Sequence, residues 1–197
     1  MNTIKKPGAP YYSTVEILFM ASMIGLDFAY GLIVGPLLTA TGVLEFIRID
    51  MVIPVMMMLT TRLVVDRFGT LTIYEFVWVI LAILAKPSSF GLPGFMKLVP
   101  ALAYGIILDS FMELFRRNVY VRLIVAGVAG GIINQFALFG IRLLFGLPWS
   151  TVVQIVMGIN LLTTAIVNIL GAHLAYLVWK GITRTGWVAR IKAWRTS

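Results

Sequence analysis

Cysteine is missing from this chain, and histidine occurs once, at His173. Without thiolates there is no disulfide, no cysteine nucleophile and no Cys-ligated zinc or iron–sulfur centre. Charge is scarce too: Asp, Glu, Lys and Arg make up 12% of the 197 residues, while 60% are hydrophobic. The mean hydropathy is +0.96. A soluble domain of this length needs far more polar surface to cover its core. A membrane protein does not, because lipid solvates its outer face. Catalytic signatures are also lacking: no H-E-x-x-H, no G-x-S-x-G and no GxxxxGK[ST] can be found. The reading is therefore a non-enzymatic membrane protein that needs neither cofactor nor metal.

What is present is a series of apolar runs. About 20 such residues suit a helix crossing a hydrocarbon core of about 30 Å. Six spans are read: Thr14–Val34, Met51–Val65, Thr70–Ala85, Phe95–Phe115, Val119–Phe145 and Trp149–Trp179. Turn-forming residues punctuate the joins, as in "GPLLTATG", "DRFG", "KPSSFGLPG", "RRN" and "GLPW". The predicted fold is one all-α membrane domain over residues 1–197. A cytoplasmic segment 1–13 precedes a six-helix bundle over 14–179, and a basic interfacial tail covers 180–197. The opening "MNTIKKPGAPYYST" is polar and basic, and the run after it reads as a retained first span.

The formal net charge is +8, which in a soluble protein would suggest nucleic acid. The positions of the charges give another answer. With the N-terminus in the cytoplasm, Lys5, Lys6, Arg62, Arg67, Arg116, Arg117, Arg122, Lys180, Arg184, Arg190, Lys192 and Arg195 all lie inside. Only Arg48, Lys86, Lys97 and Arg142 lie outside. That is the positive-inside bias, so both termini are expected in the cytoplasm of a multi-pass cell-membrane protein. In the tail, Trp187, Ile191 and Trp194 fall near one helical face with basic residues around them, which suits an anionic inner leaflet.

Within the spans, Asp27 and Glu75 are the costly residues. A carboxylate near mid-membrane normally faces a bundle interior or a wet cavity. Asp109 and Glu113 lie one turn apart and read as a solvated face opposite Arg116 and Arg117. Ala21, Gly25 and Ala29 set a small residue at every fourth position, the spacing that lets helix backbones approach in lipid. Asp27 is two positions past Gly25, about 200° around the helix, and so is expected on the opposite, inward side. Gly127 and Gly131 form a second small pair, read as internal packing. His173 and Asn168 are read as helix-packing hydrogen bonders.

The predicted outer side gathers polar and aromatic groups. Glu45 comes from the first loop and Phe90 from the second; Asn134, Gln135 and Arg142 come from span five; Trp149 and Asn160 come from span six. Amides, charges and rings at one mouth suit a small polar ligand with a planar ring.

Six spans with both ends inside, and a small-residue stripe on the first, together resemble the substrate-binding (S) component of energy-coupling factor transporters. The order of segments resembles it too: an outer loop ending in "IRID" and a short span "MVIPVMMMLTTRLV" precede the basic turn "DRFGTLT". Within that family, "FGTLTIYEFVWVILAILAKPSS" looks most like the thiamine- or hydroxymethylpyrimidine-type components. The resemblance implies capture of a water-soluble vitamin or precursor from outside. It also implies a transmembrane T component and two cytoplasmic ATPase subunits as partners. Ala21, Gly25 and Ala29 would be the docking face for the T component. Two other readings stay open on the residues themselves: a multi-pass assembly subunit that binds no small molecule, and a small secondary carrier.

Overall fold

The structure is a computed structural model, described here for residues 11–41, 48–85, 94–144, 146, 148–150, 153 and 159–193. Among these the chain is helical throughout, without strands. Seven α-helices can be bounded among the described residues, in order: α1 (Thr14–Ala40), α2 (Val52–Val65), α3 (Thr70–Ala85), α4 (Leu98–Leu114), α5 (Val119–Leu144), α6 (Ile159–Ile182) and α7 (Gly186–Ala193). Short 3-10 turns, Ile49–Met51 and Gly94–Lys97, lead into α2 and α4. Among the described residues four helical segments are long and apolar enough to cross a membrane: Thr14–Ala40, Gly94–Leu114, Val119–Ile141 and Asn160–Ile182.

The helices run up and down. One end, the base, holds the turn 66–69, the turn 115–118, the segment before α1 and the short helix α7. Tyr12 donates to the Phe68 carbonyl at 2.9 Å, and Val188 and Ile191 of α7 pack on Val64 of α2. The first and last described segments therefore sit at the same end.

α1 starts at a capping box. Glu16 N–H donates to Ser13 Oγ at 3.2 Å, and Ser13 N–H returns to Glu16 Oε2 at 2.8 Å. Only Glu16, Met20, Ile24 and Asp27 of this helix are buried, a single line at helical spacing. The rest faces outward, with Leu18, Leu26, Ile33 and Leu37 exposed. The helix runs past the expected end at Val34 and carries Pro36 inside it. Proline removes a donor and crowds the preceding turn. In lipid, though, leaving the helix would strand more backbone groups than staying in it.

α2 is the inverse case. Every residue from Met58 to Val65 is buried, including Thr60, Thr61 and Arg62. α2 packs against α1, α3, α6 and α7, so protein rather than lipid surrounds it, and it can be short and partly polar. The core joins Ile24, Leu59, Leu71, Tyr74, Leu108, Met112, Leu123 and Ala172 from all six bundle helices. In lipid such contacts hold by close packing rather than by release of water. Small residues set the closest approaches. A Cβ on Gly105 would meet Thr72 Cα at 2.7 Å, and one on Gly131 would overlap the Asn168 amide. Gly127 and Gly131 thus bring α5 against α6, as their spacing predicts.

Lys97, expected on a solvated outer loop, is fully enclosed where α4 begins. The 3-10 turn Gly94–Lys97 folds it against α3 and α4 instead of leaving it on a free loop.

Candidate functional site

Two polar systems occupy the bundle interior. The first lies at mid-height. Asp27 stands at the midpoint of the 27-residue α1 and is 4% exposed. Tyr74 of α3, itself buried, donates its hydroxyl to Asp27 Oδ2 at 2.9 Å, with the Met23 carbonyl 3.3 Å away. The next residue, Glu75, is 9% exposed and lies within electrostatic reach of Asp27 and of Tyr104 on α4. Among the described residues no hydrogen bond or ion pair reaches its carboxyl group. Tyr104 points its hydroxyl at Asn168 Oδ1 of α6 across 3.5 Å, and Asn168 Nδ2 donates to the Thr164 carbonyl at 2.8 Å. Gln135 of α5 closes the series by donating to Thr164 Oγ1 at 3.0 Å. One turn from Gly131 and Gly130, Asn134 Oδ1 is buried with no hydrogen-bond partner among the described residues, as is Thr60 Oγ1 on α2.

A layer like this can do two things chemically. It can present carboxylate and amide acceptors to a guest with N–H or cationic groups. It can stack tyrosine faces on that guest.

The second system forms the base. Arg62 of α2 is completely buried and is held by three carboxylates: Asp109 at 2.9 Å, Glu113 at 3.1 Å and Asp66 at 3.2 Å. Asp109, completely buried on α4, also accepts the N–H groups of Leu71 and Thr72 at 3.1 and 3.0 Å. These are first-turn donors of α3 with no partner inside their own helix, so Asp109 caps α3 from outside. Arg122 of α5 adds a bond to Asp66 at 3.0 Å and one to the Met112 carbonyl. Beside this network Arg67 pairs with buried Glu16 at 3.1 Å and lies over the rings of Tyr11 and Tyr12.

Asp66 lies in the turn after α2 with a left-handed backbone (φ 46°). Burial alone would raise its carboxyl group. The hydrogen bond from Arg122 and the charges of Arg122, Arg116 and Arg62 outweigh that and hold it below its ordinary 3.8.

This arrangement overturns the solvated-face reading of Asp109. It is not turned toward Arg116 and Arg117 but spent on Arg62 and the start of α3. Glu113 is half-exposed and does pair with Arg116, at 2.9 Å. Arg62, counted from sequence among the charges facing the cytoplasm, is instead an interior group.

The remaining sequence candidates separate clearly. Asp27 is buried while Ala21, Gly25 and Ala29 are exposed, and nothing lies within 4 Å of where a Gly25 Cβ would stand. The two faces of α1 thus differ as the angular argument requires. Gln135 joins the mid-height series, and Asn160 lies at the start of α6, half-buried. Trp149 is largely exposed and meets Phe139 edge-on at 5.3 Å. Glu45, Phe90 and the Arg142 side chain lie outside the described residues. His173 is exposed, edge-on to the Tyr120 ring at 6.0 Å, and makes no side-chain hydrogen bond among the described residues. Tyr74 and Tyr104 were not singled out from sequence; tyrosines within apolar runs, one of them beside Glu75, were the available signal.

No protein-family model matches this chain, and neither a curated protein nor a solved structure does.

Proposed function

We propose that this chain is the substrate-binding subunit of an energy-coupling factor-type uptake transporter, with six spans and both ends in the cytoplasm. Its ligand is a water-soluble vitamin or precursor, thiamine or its hydroxymethylpyrimidine moiety in the first instance. The observation that carries this reading is that Asn134 keeps a buried acceptor with no donor among the described residues, in the same interior layer as the Glu75 carboxyl group. Unsatisfied buried acceptors call for a missing partner. A protonated aminopyrimidine or a cationic ring supplies both N–H donors and positive charge.

In this reading the outer loops close over the ligand. Phe90 and Trp149 stack on it, Asn134, Gln135 and Asn160 hydrogen-bond it, and Glu45 or Arg142 pairs with its charged end. Asp27 and Glu75 line the deeper part. The exposed face of Ala21, Gly25 and Ala29 docks on the T component, and two ATPase subunits drive the tipping that opens the site inward. The sequence resemblance and the two-sided character of α1 support this assignment.

The test is mass spectrometry of small molecules that leave with the purified protein, followed by thiamine and hydroxymethylpyrimidine titration. Glu75→Gln and Asn134→Ala are each expected to weaken binding roughly tenfold or more, the value of a hydrogen bond to a charged group. A preparation that carries no vitamin and gains no thermal stability from any would end the proposal.

One observation favours a second reading. Asp27 sits halfway along α1, and secondary carriers place their sites near the bilayer midplane. A carrier would accumulate substrate in vesicles without ATP or partner subunits, whereas the binding subunit would not.

A further inference from the structure

We infer that α7 and the end of α6 form a seat for anionic lipid headgroups at the base of the bundle. The argument begins with charge. Residues 114–197 hold nine Lys and Arg and not one Asp or Glu. The upstream carboxylates at the base are already engaged: Asp66, Asp109 and Glu113 with Arg62, Arg116 and Arg122, and Glu16 with Arg67.

Lys180, Arg184 and Arg190 are exposed, and among the described residues no carboxylate pairs with any of them. Their contacts are aromatic. Lys180 lies 6.0 Å from the Tyr176 ring centre, and the Arg190 guanidinium lies 5.8 Å from that of Trp187. Among the described residues nothing supplies countercharge to this surface, which leaves it open to an external anion.

Position selects the source. α7 is pinned by Val188 and Ile191 against Val64, with Val15 and Phe19 of the first turns of α1 alongside. This is the level at which α1 begins, next to the exposed Ile17 and Leu18 that lipid must cover. Trp187, expected on one face with Ile191, instead stands outside the packed face at 74% exposure. An exposed tryptophan beside arginines at a span terminus is an interfacial anchor. A soluble acidic protein would satisfy the charges but not the apolar ring and the adjoining greasy surface. A phosphatidylglycerol headgroup with its acyl chains satisfies both.

The inference is independent of what the bundle binds. Its test uses the full chain in phosphatidylcholine vesicles containing trace spin-labelled phosphatidylglycerol or spin-labelled phosphatidylcholine. Electron paramagnetic resonance then gives the relative association constant of the motionally restricted lipid. The wild type is expected to prefer phosphatidylglycerol. Arg184→Gln and Arg190→Gln are each expected to lower that preference about fivefold, the weight of one cation near an anionic surface. Raised salt should weaken the preference as well. Arg48→Gln, whose parent pairs with Asp50 at 2.9 Å, serves as a cationic control and should leave it unchanged. These side chains are exposed, so the variants keep the wild-type unfolding midpoint. Equal association of both lipids with the wild type would overturn the inference. So would a preference that the two arginine variants leave intact.

Discussion

At the scale of single residues, the most consequential side chain is Arg62. A guanidinium with no exposure is tolerable only because Asp109, Glu113 and Asp66 saturate its fork, and buried charges survive only when paired. Removing Asp109 takes from Arg62 its one fully buried partner among the described residues and from the Leu71 and Thr72 N–H groups their acceptor. Asp109→Ala is therefore expected to destabilise the fold by about 3–5 kcal/mol, read from unfolding in detergent. Replacing Arg62 and Asp109 together by apolar residues should cost less than the two single changes summed, because neither charge is left alone.

Asp66 contributes with the opposite dependence on acid from a buried neutral carboxyl. Its folded value lies below the unfolded 3.8. Its stabilisation is thus complete above 3.8 and lost as the pH falls through the lower folded value. Asp66→Asn should flatten the acid limb of the unfolding midpoint against pH and lower the midpoint near neutrality. An unchanged acid limb in that variant would show that the Arg122 and Arg116 contacts carry no net energy.

At the scale of elements, α1 and α5 both carry small residues at four-residue spacing, yet the two stripes face different surroundings. Gly131 meets the Asn168 amide, and Gly105 on α4 meets the α3 backbone, so an added side chain has nowhere to go. Gly105→Ala is expected to cost about 1–3 kcal/mol through overpacking against a rigid neighbour. Gly25 meets nothing. Gly25→Ile should leave the isolated chain as stable as wild type by the same unfolding assay. If α1 docks on a T component, the same substitution lowers recovery of the assembled transporter on affinity pull-down. The pairing of these results separates a packing stripe from a docking stripe, which spacing alone does not.

At the scale of the whole molecule, the architecture is asymmetric along the bundle axis. The base is bound by an ion-pair network that joins α2, α4 and α5, with α3 capped by Asp109 and α1 tied in by the separate Glu16–Arg67 pair, whereas the mid-height layer is held by single neutral or singly charged hydrogen bonds. If the bundle admits a ligand as proposed, the motion should therefore begin above the layer rather than at the base. The absence of cysteine allows a direct check of orientation. Thr41→Cys lies just beyond α1 at the far end, and Thr183→Cys lies at the base, both exposed. In sealed vesicles an impermeant maleimide should label one from outside and the other only after permeabilisation. Labelling of both from one side would contradict the up–down course of the helices through a membrane.

Hydropathy and turn residues were enough to place helices within a few residues at Thr14, Val65, Thr70, Ala85 and Val119, because a chain in lipid must close its backbone hydrogen bonds within each segment. The inward face of Asp27 was equally legible, since helix geometry sets the angle between positions on one helix. Which charges are interior was not. Arg62, Lys97 and Asp109 look like loop or surface residues in a linear reading, and no periodicity marks them. Their burial arises from contacts between segments far apart in the chain, such as Asp109 capping α3 from α4 across 38 positions. The same holds for α2, whose modest length and polar residues reflect the helices packed around it rather than its own pattern. Local backbone physics is written in adjacent residues. The pairing of charges is decided only when the helices meet.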